Sequence, residues 1–395
     1  MCRMPGMSVP GRRSGGRMNV RKLSEEEHGI TRKLWEEIFV EDDQEFLDYY
    51  YHVKTSKNSI YVIENEEKVP VSMLQLNPYT ICFGGKEETI HYIVAVATKK
   101  EYRGRGFMTR LLKISADDMY RAGEPFTFLM PAAEGIYYPH GFRFVYRQIR
   151  LEGTIDELNL PYDAELKVRF AVEEDCPALS ALAEQMLKAF PMVRAVRTEE
   201  YYRTLLREQK SEGGEILLVE REEGICGFVL YNLENGQAQL REPLIKREED
   251  WDQIVRFLVK NSSPHLQIAG VLPGGISCLV KRMKDIEKKE VPIIMVRIIH
   301  LKNFLEGIQA KKDFSVRICV KDEMIPENTG CWEISGIKGE KLNVRKEEEK
   351  EGEEISVGEL VSTLFGYCTG SLKEKKRCFI RAFRRGRADI AGIFK

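Results

Sequence analysis

No stretch of this chain approaches the roughly 18 consecutive apolar residues that a membrane-spanning helix needs, so no candidate span exists. Its nine cysteines are scattered, with no Cys-x-x-Cys pair and the closest two, Cys368 and Cys378, ten apart. Lacking framework spacing, they read as reduced thiols of a cytoplasmic protein rather than as a disulfide scaffold. Six dispersed histidines offer no zinc site, and no metal is expected. A net charge of −1 provides no global field toward nucleic acid or a membrane surface. Neither a Gly-x-x-x-x-Gly-Lys-Ser/Thr loop nor a Gly-x-Ser-x-Gly elbow occurs, which removes the P-loop and serine-hydrolase classes.

What is present is a globular composition, 43% hydrophobic and 31% charged, over 395 residues, enough for two or three domains. Residues 1–17 stand apart: they hold Arg3, Arg12, Arg13 and Arg17, no acid, and no signal-peptide core. They read as a disordered leader, with translation from Met18 as the alternative and a nucleic-acid-binding arm as the weaker one.

From residue 18 the pattern is mixed α and β. A strand at Val20–Leu23 meets a capping-box pattern, Ser24 with Glu27, that opens a helix. A second helical stretch, Asp43–Tyr51, precedes strands at 59–64, 69–76, 79–83 and 89–97, the last two joined by Gly84-Gly85. A helix, a strand at 126–130, a short helix at 132–138 and a strand at 142–150 complete the first unit. A comparable order recurs after Pro161: a strand at 166–171, a helix after Asp175, a meander over 216–244, a helix from Trp251 and a strand at 266–272. This suggests internal duplication. The last hundred residues change again, with strands at 292–299, 315–320 and 330–337, an acidic loop at 347–354, a helix at 356–365 and a basic run at 373–387 that reads as a solvated face.

One stretch carries chemistry. The apolar β-branched run ending at Val96-Ala97-Thr98 breaks into Tyr102-Arg103-Gly104-Arg105-Gly106 and then into a helix whose Met108, Leu111, Leu112, Ala116 and Met119 share a face. A strand, a glycine turn and a helix N-terminus together present unpaired N–H groups and a favourable dipole to an anion. Gly104 and Gly106 let a phosphate approach the backbone, while Arg103 and Arg105 add charge. The amides from Gly104 through Phe107 and Met108 to Thr109 would form the cradle. In the second unit the matching segment is Lys246-Arg247-Glu248-Glu249-Asp250, with no glycine and three acids, so one cradle per chain is expected.

The order of the first 150 residues, with Arg103-x-x-Gly106, resembles the GNAT acyltransferases; Met108 replaces the small residue that usually ends the motif, without removing a backbone donor. Together with Leu76-Asn77-Pro78-Tyr79, Gly135-Ile136-Tyr137 and the three-part order, the chain resembles the Eis (enhanced intracellular survival) acetyltransferases. The resemblance implies an α+β protein: a leader at 1–17, a catalytic GNAT domain at 18–150, a degenerate GNAT-like domain at 151–288 and a sterol-carrier-like domain at 289–395. It implies acetyl-CoA as co-substrate, held by Val96, Ala97 and Thr98 along the pantetheine arm and lined also by Ala132 and Ala133, and a small amine acceptor attacked directly in a ternary complex. Tyr137 becomes the general acid, since a phenol of pKa about 10 can protonate a departing thiolate. The base becomes the C-terminal carboxylate, here of Lys395, or alternatively a water relayed by a Glu or Asp. A homo-oligomer, a hexamer by resemblance, is also implied. A non-catalytic acyl-CoA or lipid-binding protein is the competing reading. Of the histidines near the site, His91 reads as a satisfied core residue and His140 as a surface one.

Overall fold

The computed structural model describes residues 18, 20–155, 163, 165–188, 193–272, 275–348 and 354–365. The leader, the basic run at 373–387, Lys395 and most of the acidic loop lie outside these residues. The first unit runs β1 (Val20–Lys22), α1 (Arg32–Ile38), α2 (Gln44–Tyr49), β2 (Ser59–Glu64), β3 (Pro70–Phe83), β4 (Lys86–Thr98), α3 (Phe107–Arg121), β5 (Phe126–Leu129), α4 (Glu134–Tyr137) and β6 (Arg143–Ile155). The capping box forms, with the Ser24 N–H donating to Glu27 at 3.0 Å, although it opens a 3-10 turn that only then becomes α1. A single strand, β3, replaces the two expected around Pro78. Pairing with β2 stops at Leu76, so Pro78 sits where no strand on that side requires its missing N–H.

The second unit runs β7 (Lys167–Phe170), α5 (Cys176–Leu187), β8 (Arg194–Ala195), α6 (Glu199–Ser211), β9 (Glu215–Arg221), β10 (Gly224–Glu234), β11 (Gln237–Ile245), α7 (Trp251–Asn261), β12 (His265–Ala269), α8 (Ser277–Lys281) and β13 (Met283–Ile298). Helix α6 was not expected, although Thr198 caps it by accepting from the Tyr201 N–H at 3.1 Å and it buries Tyr202, Leu206 and Gln209.

Two long strands join the units. The first part of β6, Arg143–Tyr146, pairs with the end of β13, which in turn pairs with β5 through Met295–Ile298. The last part of β6, Arg150–Thr154, pairs with β12 and with the start of β13. Each unit is therefore completed by a strand from the other, and one sheet runs through both. The expected boundaries at 150/151 and 288/289 fall inside β6 and β13. The start of β13 has no apolar period, because Lys284–Glu290 are all exposed, and sequence patterning recovers only its second half.

The third unit comprises α9 (Leu301–Glu306), β14 (Phe314–Lys321), β15 (Gly330–Gly336), β16 (Asn343–Glu347), β17 (Glu354–Ser356) and α10 (Val357–Phe365), with sheet order β16-β15-β14-β17. Register sets Cys319 opposite Cys331 across β14 and β15, and the two form a disulfide. This corrects the expectation of wholly reduced thiols; a pair twelve residues apart becomes adjacent only through strand pairing. Cys82, Cys176, Cys226 and Cys278 are free.

The first and third units share a core. The β3–β4 hairpin brings Ile81, Phe83 and Ile90 against Phe304, Leu305 and the interior of the second sheet, with Phe83 stacked on Phe304 at 5.5 Å. At its tip Gly84 (φ +59°) lies so close to Gly307 that an added Cβ would stand 2.3 Å from that carbonyl oxygen, whereas Gly85 (φ +75°) faces open space. Replacing Gly84 by Ala combines a left-handed backbone with overpacking and should cost about 2–5 kcal/mol; Gly85→Ala should cost about 1 kcal/mol. Urea unfolding of the two variants measures the difference.

Candidate active site

β4 pairs with β3 along its length, and its other edge meets β5 at only one register pair, Tyr92 with Phe128. Beyond that point no described strand pairs with this edge of β4, so it can take an extended ligand as another strand. A bulge lies in the same segment: Met73 pairs with Ala97 and Gln75 with Val94, leaving one extra residue on β4. Ala95 takes φ +50° there, a conformation that costs an L-residue about 1–2 kcal/mol. The bulge also shifts the side-chain alternation. Ile93 and Val96 pack toward α3, whereas Val94, Ala95 and Ala97 pack toward α1 and α2. Thr98 Oγ1 is 2.7 Å from Ser72 Oγ, which also donates to the Ala97 carbonyl at 2.9 Å and so fixes the end of the strand.

Gly104 (φ +74°) and Gly106 (φ +73°) both adopt the left-handed conformation, and a Cβ on either would meet nothing within 4 Å. Gly106 is the N-cap of α3, a helix of 15 residues. Arg103 Nε donates to the Thr98 carbonyl at 3.1 Å, and Arg105 donates to that of Glu101 at 3.0 Å while lying over the Tyr102 ring. Both arginines thus hold the turn in place and leave it exposed. Phe107 is buried and anchors the helix start, Met108 is half-buried, and Thr109, Ala132 and Ala133 are exposed.

Tyr137 ends α4 with its ring edge-on to Phe142 at 5.7 Å, and burial pushes its phenol up to about 12. It is protonated at every pH where a protein works. Tyr138 belongs to another environment, with the Arg143 guanidinium 5.0 Å from its ring centre. His140 is half-buried rather than on the surface: its Nε2 lies 3.4 Å from Thr109 Oγ1, joining the turn after Tyr137 to the first turn of α3. Burial and nearby Arg297 hold the imidazole below its usual pKa. His91 is paired, its Nδ1 2.7 Å from Glu124.

A cavity of about 680 Å³ opens between the first two units, lined among others by Lys54, Tyr79, Met130, Tyr201, Glu208 and Glu242. Sequence reading named none of these as site residues, since they meet only where α6 packs on the first unit. Glu208 accepts from the Tyr49 hydroxyl at 3.0 Å and lies 3.7 Å from Lys54 Nζ. Tyr92, half-buried with its phenol pushed well up by desolvation, is hydrogen-bonded by the Met130 backbone.

The second unit keeps the bulge without the glycine turn. Glu242 takes φ +50° at the irregularity of β11, and β11 and β12 pair over the four residues before it, Ala238–Arg241 with Leu266–Ala269. Where the cradle would lie, Asp250 is fully buried against Arg221 at 2.9 Å and Glu248 accepts from the Cys278 N–H at 3.2 Å.

Residues 19–145 match the acetyltransferase (GNAT) domain family, and residues 301–373 match the sterol carrier protein domain family. The chain carries a GNAT acetyltransferase domain in its first unit. Solved structures with the same fold include a probable N-acyltransferase from Enterococcus faecalis, 18% identical over 95% of both chains with a TM-score of 0.77. A GCN5-related N-acetyltransferase from Anabaena variabilis is 17% identical over 93% of this chain and 96% of its own, with a TM-score of 0.75. An Eis protein from Mycobacterium abscessus is 14% identical over 94% and 96%, with a TM-score of 0.66. No curated protein matches the chain. GNAT domains transfer an acyl group from an acyl-CoA to an amine, and the exposed glycine turn with the unpaired edge of β4 fits such a donor. Among the described residues no group of three metal-ligating side chains occurs, and no helix is long and apolar enough to cross a membrane.

A methyl group at Gly106 would sit on the surface a phosphate must approach. Gly106→Ala should weaken acetyl-CoA binding by at least tenfold, about 1.4 kcal/mol, with a loss of stability of about 1–2 kcal/mol from the left-handed backbone. Calorimetric titration of both proteins tests this.

Proposed function

We propose that this chain is an acetyl-CoA-dependent N-acetyltransferase acting on a small polar primary amine by direct attack in a ternary complex. The observation that carries the reading is the parting of β4 from β5 beside an open glycine turn, with Tyr137 following at the end of α4. Backbone N–H groups of residues 104–109 would hold the pyrophosphate, with Arg103 and Arg105 adding positive charge. The free edge of β4 at Val96–Thr98 would pair with the pantetheine amides and offer an N–H to the thioester oxygen, where charge develops as the amine attacks. Ala132 and Ala133, both exposed, would line the same donor.

The cavity between the units supports the choice of acceptor. Its lining holds glutamates together with lysines and arginines, and with Tyr79 and Tyr201, which suits a polar, hydrogen-bonding amine and not an acyl chain. The amine loses a proton before or during attack. Its acceptor is the C-terminal carboxylate of Lys395, which lies outside the described residues, or a water relayed through Glu208 on the cavity wall. The nitrogen–carbon bond then forms, the carbon–sulfur bond breaks, and the Tyr137 phenol protonates the leaving thiolate.

A CoA-release assay over spermidine, tobramycin, tyramine and a blocked lysine tests the reading; no turnover with any amine would sink it. With an accepted amine, Tyr137→Phe should lower kcat by about 10²–10⁴-fold, leaving acetyl-CoA affinity unchanged. Because the Tyr137 phenol stays protonated to about pH 12, kcat/KM should rise with pH as free amine accumulates and show no alkaline fall below about pH 10. A Glu208→Gln variant should raise the acceptor KM several-fold while the acetyl-CoA Kd holds, which steady-state kinetics and calorimetry separate.

A further inference from the structure

Helix α4 is four residues long, too short to hold itself in place by its own hydrogen bonds, and the turn that follows it, residues 138–142, has carbonyls that need partners. Two arginines supply them. Arg143 Nη1 donates to the carbonyls of Tyr138 at 2.9 Å and Phe142 at 2.7 Å. Arg297, on β13, donates from Nε to the His140 carbonyl at 2.9 Å and from Nη1 to that of Ile298 at 2.7 Å. Its remaining nitrogen, Nη2, reaches Asp322 Oδ1 at 2.6 Å, and both side chains are 1% exposed.

Burying a guanidinium so completely is costly unless a carboxylate and several acceptors compensate it. Here the compensation comes from the third unit. Asp322 lies between β14 and β15, and its Oδ1 also accepts from the N–H groups of Met324 and Ile325 at 3.0 and 3.1 Å, while Oδ2 accepts from Asn328 at 3.0 Å. The carboxylate therefore has one position available to it. A guanidinium fork has fixed donor directions, so once Asp322 is placed, Arg297 Nε aims at one point, the His140 carbonyl. Gly141 (φ +83°) closes the same turn against Val357 of α10, where a Cβ would stand 2.8 Å from the valine methyl.

We infer that Asp322 and Arg297 are positioning residues: the third unit sets the place of Tyr137 through this pair, by gripping the turn that follows it. This rests on the reading of Tyr137 as the group that protonates the thiolate. A displacement of that turn would move the phenol, while the cradle amides, set by the glycine turn and α3 and touched by the displaced turn at the Thr109 side chain, would keep their affinity for the donor.

The test uses the full chain labelled with fluorotyrosine, the Tyr137 resonance being assigned by its loss in Tyr137→Phe. Arg297→Lys keeps the charge and loses the fork, and Asp322→Asn removes the anchor. Ile334→Ala, a core change in the same unit, is the control for lost stability. Both clamp variants should shift the Tyr137 fluorine signal and lower kcat at least tenfold with the best amine of the panel, with the KM for acetyl-CoA within twofold of wild type. Ile334→Ala, at an equal or larger loss of Tm, should leave the signal in place and kcat within twofold. An unmoved signal in Arg297→Lys, an unchanged kcat in it, or an equal kcat loss in Ile334→Ala would each overturn the inference. If Asp322→Asn fails to fold, Arg297→Lys decides alone. If the wild type acetylates no amine, the proposed function falls, and the fluorine signal still decides whether the clamp holds the turn.

Discussion

Every part of the site depends on the backbone ladder between β6 and β13. These strands complete the sheet of the first unit at one end and that of the second at the other. Because β13 leads directly into the third unit, the ladder also carries Arg297 to the turn behind Tyr137. A slip of one residue in register would turn every side chain of a strand to the other face. The ladder therefore holds the three units in one register.

Within that frame the first two units differ by a small change with a large effect. Both carry a bulge on a strand of the shared sheet, at Ala95 and at Glu242. In the first unit the neighbouring strand departs after one pair, and a glycine turn follows. In the second the strands pair over four residues up to the bulge, and the acids of the turn fold inward onto Arg221 and the Cys278 amide. A bulge alone does not make a donor site; it needs an open edge and a turn whose residues can take positive φ. The second unit contributes instead through α6, whose Glu208 faces the cavity.

Local signals in the sequence were readable where a residue type leaves few options. Gly104 and Gly106 demanded a turn that only glycine adopts freely, and the observed φ values agree. Element order followed from apolar period across most of the chain. What stayed hidden depended on partners distant in sequence. The charged half of β13 has no apolar period, since its neighbours in the sheet leave both faces in water. Arg297 and Asp322 look like ordinary surface residues until β13 and the β14–β15 connection bring them together. Cys319 and Cys331 give no framework spacing, and strand register alone makes them neighbours. Helix α6 carried a readable cap at Thr198, but its contribution to the cavity follows only from packing against α2.

The exchanged strands have a consequence for how such a chain can change over generations. Each of the first two units takes strand pairing from the other, so removing either would leave its neighbour with an open sheet edge and β13 with no route to it. The turn of the second unit can hold paired acids in place of glycines without disturbing that exchange. A unit without the glycine turn can still be indispensable to the one that has it.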